Sequence, residues 1–340
     1  MEHRSNTALV LGATGGIGGE VARLLQARGW TVRALRRGGA ADDARDGLTW
    51  LRGDAMNRED VMRGAEGCSV IVHAVNPPGY RAWDKLVLPM VDNTVAAATA
   101  LEATIVLPGT VYNFGPDAWP LLAEDSPQHP VTRKGAIRVA LEQRLEQASR
   151  RGARVIVVRA GDFFGPRPGN NWFSLAMVKP GRPVRSIANP ASPGIGHQWA
   201  YLPDVARTMV ALLDRRDELA PFERFHMAGH WDDDGMRMAD AIRRVVGRSA
   251  GTAPRIRAVP WGWFRLAAPF VTTLRELQEM RYLWRQPLRM VNHRLIEVLG
   301  EEPHTPLEQA VRASLSGLGC LPGHDDRRAP ASLPGEGSAR

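Results

Sequence analysis

The chain of 340 residues is poor in lysine, with only Lys85, Lys134 and Lys179, and poor in cysteine, with only Cys68 and Cys320. Two distant cysteines outside any CxxC or Cys/His cluster exclude a disulfide scaffold and a structural zinc site as organising devices, so no metal is expected. Long apolar runs are also missing. The most apolar late stretch, 259–274, is interrupted by Pro260, Arg265 and Pro269, which excludes a transmembrane helix. The charged N-terminus, Met1 to Thr7, runs straight into a strand, so no signal peptide and a cytoplasmic location are expected. The net charge of +8 comes almost wholly from arginines scattered along the chain. Scattered cations do not make an anion-binding face, and no nucleic-acid partner is expected.

What is present is an alternation. ALVLG, TVRALRR, LTWLRGD, SVIVHAV, TIVLPGT and RVIVVRAG read as buried parallel strands. Helical patterns lie between them at 16–28, 58–65, 85–101 and 133–150, and later at 202–213 and 236–246. Strand–helix alternation predicts an α/β fold, a doubly wound parallel Rossmann sheet with a smaller C-terminal substrate domain. The expected division is a nucleotide-binding domain over 1–165 and a capping domain over 166–320, with some segments returning to the sheet. A tail at 321–340, rich in Gly, Pro and Ser, is expected to be disordered. A Trp/Arg-rich stretch, Trp261 to Trp284, reads either as a helix pair over the substrate pocket or as a partner or membrane-surface face.

Directly after the first strand, Gly12, Thr14, Gly15, Gly16, Ile17 and Gly18 open a helix, with glycines at i, i+3 and i+6. Gly12 allows the tight turn, Gly15 lets backbone approach a pyrophosphate, and Gly18 lets helix pack on strand. The phosphates would sit on free N–H groups at the helix N-terminus. At the end of the second strand, where an acid would grip the ribose of NAD(H), the chain has Arg36 and Arg37. Cations there suit a 2′-phosphate, so NADP(H) is favoured over NAD(H). Asp54 and Ala55, after the third strand, are placed to meet the adenine, and Val75 to line the same groove.

With these motifs in order, the chain resembles an extended or atypical short-chain dehydrogenase/reductase of the NAD-dependent epimerase/dehydratase family. The glycine loop, the Asp54 turn, Arg159–Pro166, Trp199–Ala206 and the 299–308 segment carry the resemblance, which spans about 8–319. It implies hydride chemistry on a nicotinamide cofactor, with a Ser/Thr and a YxxxK pair handling the proton. This chain departs from that pattern. The Tyr slot is Lys134, the Lys slot is Arg138, and the hydroxyl position is Pro108, which leaves Thr110 as the nearby hydroxyl. The helix asparagine of the family's relay corresponds to Met90.

One expectation is that Lys134 replaces tyrosine as acid/base in an NADP(H)-dependent oxidoreductase, as in the isoflavone-reductase-like group. Arg138 would then help lower its pKa. Its alternatives are a sugar-nucleotide epimerase or dehydratase, and a non-catalytic NADP(H)-binding structural or regulatory protein. Strand ends and following loops supply the substrate candidates: Asn76, Tyr112, Asn113, Asp162, Asn170, Asn171, Trp172, His197, Trp199 and Tyr201. Their aromatic content suits a mid-sized, partly apolar carbonyl compound. His73, within an apolar strand, reads as a core histidine. A small-molecule substrate is expected, and a homodimer is the assembly considered.

Overall fold

The computed structural model describes residues 6–38, 43–77, 82–167, 169 and 171–322. The chain begins β1 (Thr7–Leu11), α1 (Gly16–Ala27), β2 (Thr31–Arg36), β3 (Asp43–Arg45), β4 (Leu48–Arg52), α2 (Arg58–Ala65), β5 (Val70–His73) and α3 (Trp83–Leu101). Next come β6 (Thr104–Gly109), β7 (Leu121–Leu122), α4 (Arg133–Ser149), β8 (Arg154–Arg159) and β9 (Asp162–Phe164). It continues with β10 (Ser186–Asn189), β11 (His197–Tyr201), α5 (Leu202–Asp214), β12 (Phe222–His226), β13 (His230–Asp232) and α6 (Arg237–Ala250). The last elements are β14 (Arg255–Ala258), α7 (Trp261–Ala267), α8 (Thr272–Glu279), β15 (Arg289–Met290), α9 (His293–Leu299) and α10 (Leu307–Gly317).

Eight strands form the main sheet in the order β12-β8-β6-β5-β1-β2-β4-β3, parallel throughout except for the edge pair β3–β4. The six apolar runs anticipated as strands all lie in it, and β12 joins as a further parallel strand. Both faces of the central strands β1, β5, β6 and β8 are covered, which is why these four are mostly apolar. Side chains alternate between faces: Leu9, Leu11, Ile71 and Ile105 pack with α2, α3 and α4 residues, whereas Ala8, Val10, Val70 and Val72 pack with α1 and α5. The chain works outward from β1 to β4 and then crosses back to β5, so β1 and β5 flank the switch point where open α/β sheets bind ligands.

A third core, around Phe164, Trp172, Phe173, Trp199, Trp284 and α6, belongs to the C-terminal part. Segment 261–284 forms two short helices followed by a 3-10 turn. Of the tail expected at 321–340, Leu321 packs on this third core, and 323–340 lie outside the described residues. Among the described residues no helix is long and apolar enough to cross a membrane.

Candidate active site

A cavity of about 610 Å³ opens at the carboxyl ends of the sheet, over the switch point. Its floor is the glycine loop. Gly12 has φ +90°, and a Cβ there would sit 2.5 Å from the Ala74 carbonyl oxygen, so only glycine lets the β1 turn lie against the end of β5. Gly18 is off the cavity wall; a Cβ on it would come 2.3 Å from the Gly12 carbonyl oxygen, the close helix–strand packing its spacing implied. Gly15 is the N-cap of α1, and the first helical turn carries no acid, so the positive end of the helix dipole faces the cavity unneutralised. Thr14, Gly15, Gly16 and Ile17 line this end, joined by Asp54, Ala55 and Val75. This loop therefore fits a dinucleotide pyrophosphate.

The two arginines at the end of β2 are not equivalent. Arg36 donates to Asp43 Oδ2 at 3.0 Å and lies over Trp50, 5.1 Å from the ring centroid. Arg37 is exposed on the same wall. Of the two, Arg37 is the cation open to a ligand phosphate.

The far end of the cavity is polar. Asn76, Thr110, Tyr112, Arg138, Asp162 and Asn171 line it, beside Trp83, Met90, Pro108 and Phe163. Arg138 reaches it from α4 and lies over Trp83, 5.1 Å from the ring centroid. Asp162 accepts from His197 Nε2 at 2.8 Å, and His197 Nδ1 lies 3.2 Å from the Leu283 carbonyl. Both partners are oxygen acceptors, one side-chain and one backbone. His197 itself stacks on Trp284 at 3.7 Å between centroids and stays behind the wall. Asn171 also caps the turn after it, since its Oδ1 accepts from Ser174 N at 2.9 Å. Asn170 lies outside the described residues.

His73, read from the sequence as a core histidine, also lines the cavity. It is buried and bonded, as a core histidine should be: its Nδ1 lies 2.7 Å from Thr94 Oγ1, which in turn donates to the Met90 carbonyl. That leaves Nδ1 as the donor and Nε2 with a lone pair. Burial together with Arg138 pushes the His73 pKa down to about 3.

Several candidates are not brought to the cavity wall. Lys134 is buried under α8, where its ammonium donates to Glu276 and, at 2.5 Å, to Glu279. Glu276 and Glu279 are the only acids between 251 and 290, a stretch with seven arginines, and that imbalance was the one signal in the sequence that they had a special task. Asn113 is wholly buried and donates to Glu142 Oε1 at 3.0 Å, the same carboxylate that holds the buried Arg159. Trp172, Trp199 and Tyr201 are buried in the third core, packed against Trp284 and Phe164, because aromatic bodies of this size stabilise most when fully desolvated.

A family model described as "NAD dependent epimerase/dehydratase family" matches residues 8–228. The chain belongs to this family. Many solved structures share its fold, among them these three. A putative epimerase from Burkholderia cenocepacia aligns with TM-score 0.70 at 18% identity, over 94% of this chain and all of that one (100%). The Bordetella bronchiseptica enzyme WbmH, solved in complex with NAD+, aligns with TM-score 0.66 at 18% identity, over 92% of this chain and 97% of that one. UDP-glucose 4-epimerase from Thermotoga maritima, solved with UDP-glucose, aligns with TM-score 0.69 at 15% identity, over 92% and 98% of the two chains. No sequence match is found among curated proteins.

Proposed function

We propose that this family member is an enzyme that binds a nicotinamide dinucleotide along the glycine loop and performs redox chemistry at a carbinol carbon of a sugar nucleotide. One observation carries the reading: the dinucleotide cradle and the polar wall of Asn76, Thr110, Tyr112, Asp162 and Asn171 belong to one continuous cavity of about 610 Å³. With Trp172 and Trp199 packed into the core, that wall offers hydrogen-bonding groups suited to a polyhydroxylated substrate beside the apolar surface of Trp83, Met90 and Phe163.

When bound, the nicotinamide supplies a hydride acceptor or donor. The chain's own residues must handle the proton. Lys134 has its ammonium between two carboxylates and away from the wall, so the proton is assigned elsewhere. Asp162 is the carboxylate at the polar end of the cavity, away from Asp54 and the glycine loop. It takes the proton of the substrate hydroxyl as hydride leaves the same carbon, and returns it in the reverse step, while His197 holds the carboxylate in position. Arg138, at the slot where the family carries lysine, orients the cofactor ribose. Arg37 favours the 2′-phosphate and hence NADP(H) over NAD(H).

The experiment is calorimetric binding of NADPH and NADH, followed by nicotinamide absorbance with nucleoside-diphosphate sugars and with a panel of simple ketones. Tighter NADPH binding, lost in Arg37→Ala, and turnover of a sugar nucleotide lowered at least tenfold in Asp162→Asn are expected. Equal affinity for both cofactors would remove the Arg37 assignment. Turnover of ketones alone would overturn the substrate class, and full turnover by Asp162→Asn would remove the assigned base. Binding without turnover of anything would convert the reading to a nucleotide-sensing protein.

A further inference from the structure

Outside the lining of the cavity, three side chains from distant segments converge. Asp204 stands in the first turn of α5, His230 begins β13, and His304 lies in the loop before α10. Each offers one ligand atom, and the three atoms lie within 4.8 Å of one another. The two imidazole rings face each other with centroids 4.5 Å apart.

Two features separate this cluster from an incidental meeting of polar groups. The first is an orphan: His230 is more than nine-tenths buried, at 8% exposure, and its Nε2 has no hydrogen-bond partner. A buried polar atom without a partner costs about 1–3 kcal/mol and calls for an explanation. The second is how Asp204 is held. Its Oδ1 accepts from Thr305 Oγ1 at 2.7 Å and from Arg207 Nη2 at 2.6 Å, and its Oδ2 accepts from Thr305 N at 2.7 Å. Oδ2 therefore keeps one lone pair, and the carboxylate is oriented by outer bonds as metal-binding carboxylates commonly are. Thr305 adjoins His304, so the bonds that fix Asp204 also fix the loop that brings the second imidazole.

We propose that Asp204, His230 and His304 form a binding site for a divalent transition metal of the zinc class. Two imidazoles and one carboxylate, with no thiolate, are donors of borderline softness. They select Zn2+ and its neighbours over Mg2+ or Ca2+, which want mainly oxygen. His304 is exposed, which gives the ion an entry path and leaves room for water to complete its coordination. The ion would give the buried His230 imidazole a partner and staple the 301–305 loop to both α5 and β13. Ligands 26 and 74 residues apart in sequence have no recognisable spacing, so no motif could announce them. This site is independent of the proposed redox activity.

The test uses the full chain without an affinity tag, stripped with a chelator and titrated with Zn2+ against a chromophoric competitor, then with Co2+ read by its visible absorption. One equivalent is expected to bind, with the d–d intensity of a low-coordinate site and a raised unfolding temperature. His304→Gln, at an exposed position, and the conservative His230→Gln should each weaken Zn2+ binding by about tenfold or more. Circular dichroism on both variants confirms that they remain folded. Absence of saturable one-to-one binding in the wild-type chain would overturn the site. So would equal affinity in folded His304→Gln and His230→Gln.

Discussion

Replacing Lys134 with methionine distinguishes a buried structural cation from a reacting one. The Lys134 side chain is 3% exposed, and its two partners Glu276 and Glu279 are 19% and 23% exposed. Methionine keeps the length and removes the charge, leaving two neighbouring carboxylates without a cation. Breaking a fully buried ion pair costs about 3–5 kcal/mol. Because both carboxylates regain some hydration, about 2–4 kcal/mol is expected here. The loss should appear in urea unfolding and as faster hydrogen exchange in α8, which these contacts pin to α4. Adding Glu276→Gln and Glu279→Gln to Lys134→Met removes the stranded charges and should recover at least half of the deficit, a coupling read directly from the cycle. A Lys134→Met variant within about 0.5 kcal/mol of wild type, or a triple variant no more stable than the single one, would refute the electrostatic account.

Two further outcomes follow from the site and the core. His73 and His226 are buried neutral, each with its pKa pushed down to about 3, by burial and then by Arg138 and Arg159 respectively. The unfolded chain binds their protons below about pH 6.5 and the native chain does not, so stability is full above that pH and falls as the pH drops toward about 3. Each histidine contributes a slope of up to about 1.4 kcal/mol per pH unit. Urea midpoints measured from about pH 7 down to about pH 5 should show a shallower slope in His73→Gln than in wild type; parallel slopes would contradict the assignment. Gly12→Ala places a Cβ 2.5 Å from the Ala74 carbonyl oxygen at φ +90°, so the turn must shift. A stability loss of about 1–3 kcal/mol and the loss of dinucleotide binding by calorimetry are expected together, and wild-type affinity would show that the loop does not cradle the ligand.

Much of the sheet and the glycine loop was written in local sequence. Six apolar runs became six parallel strands because a sheet covered on both faces tolerates apolar residues at every position. The roles of Gly12 and Gly18 were readable because turn geometry and helix–strand contact depend on a few consecutive residues. That Asp54, Ala55, Val75 and Arg37 line the cavity follows from their places at strand ends, which open on one edge of a parallel sheet.

Tertiary contacts decided what sequence position alone could not. The resemblance gives Lys134 the slot of a catalytic tyrosine, yet residues 142 and 145 positions away take its ammonium. Trp172, Trp199 and Tyr201 sit in loops and strand ends that look ligand-facing, but burial of large aromatic surface turned them into the third core. His230 and His304 carry no motif in sequence and meet because β13 and the loop before α10 converge near Asp204. Secondary structure and a phosphate-binding turn arise from neighbours along the chain. The direction a side chain finally faces is set by which distant surface most stabilises its burial or its charge, and that exists only once the chain has folded.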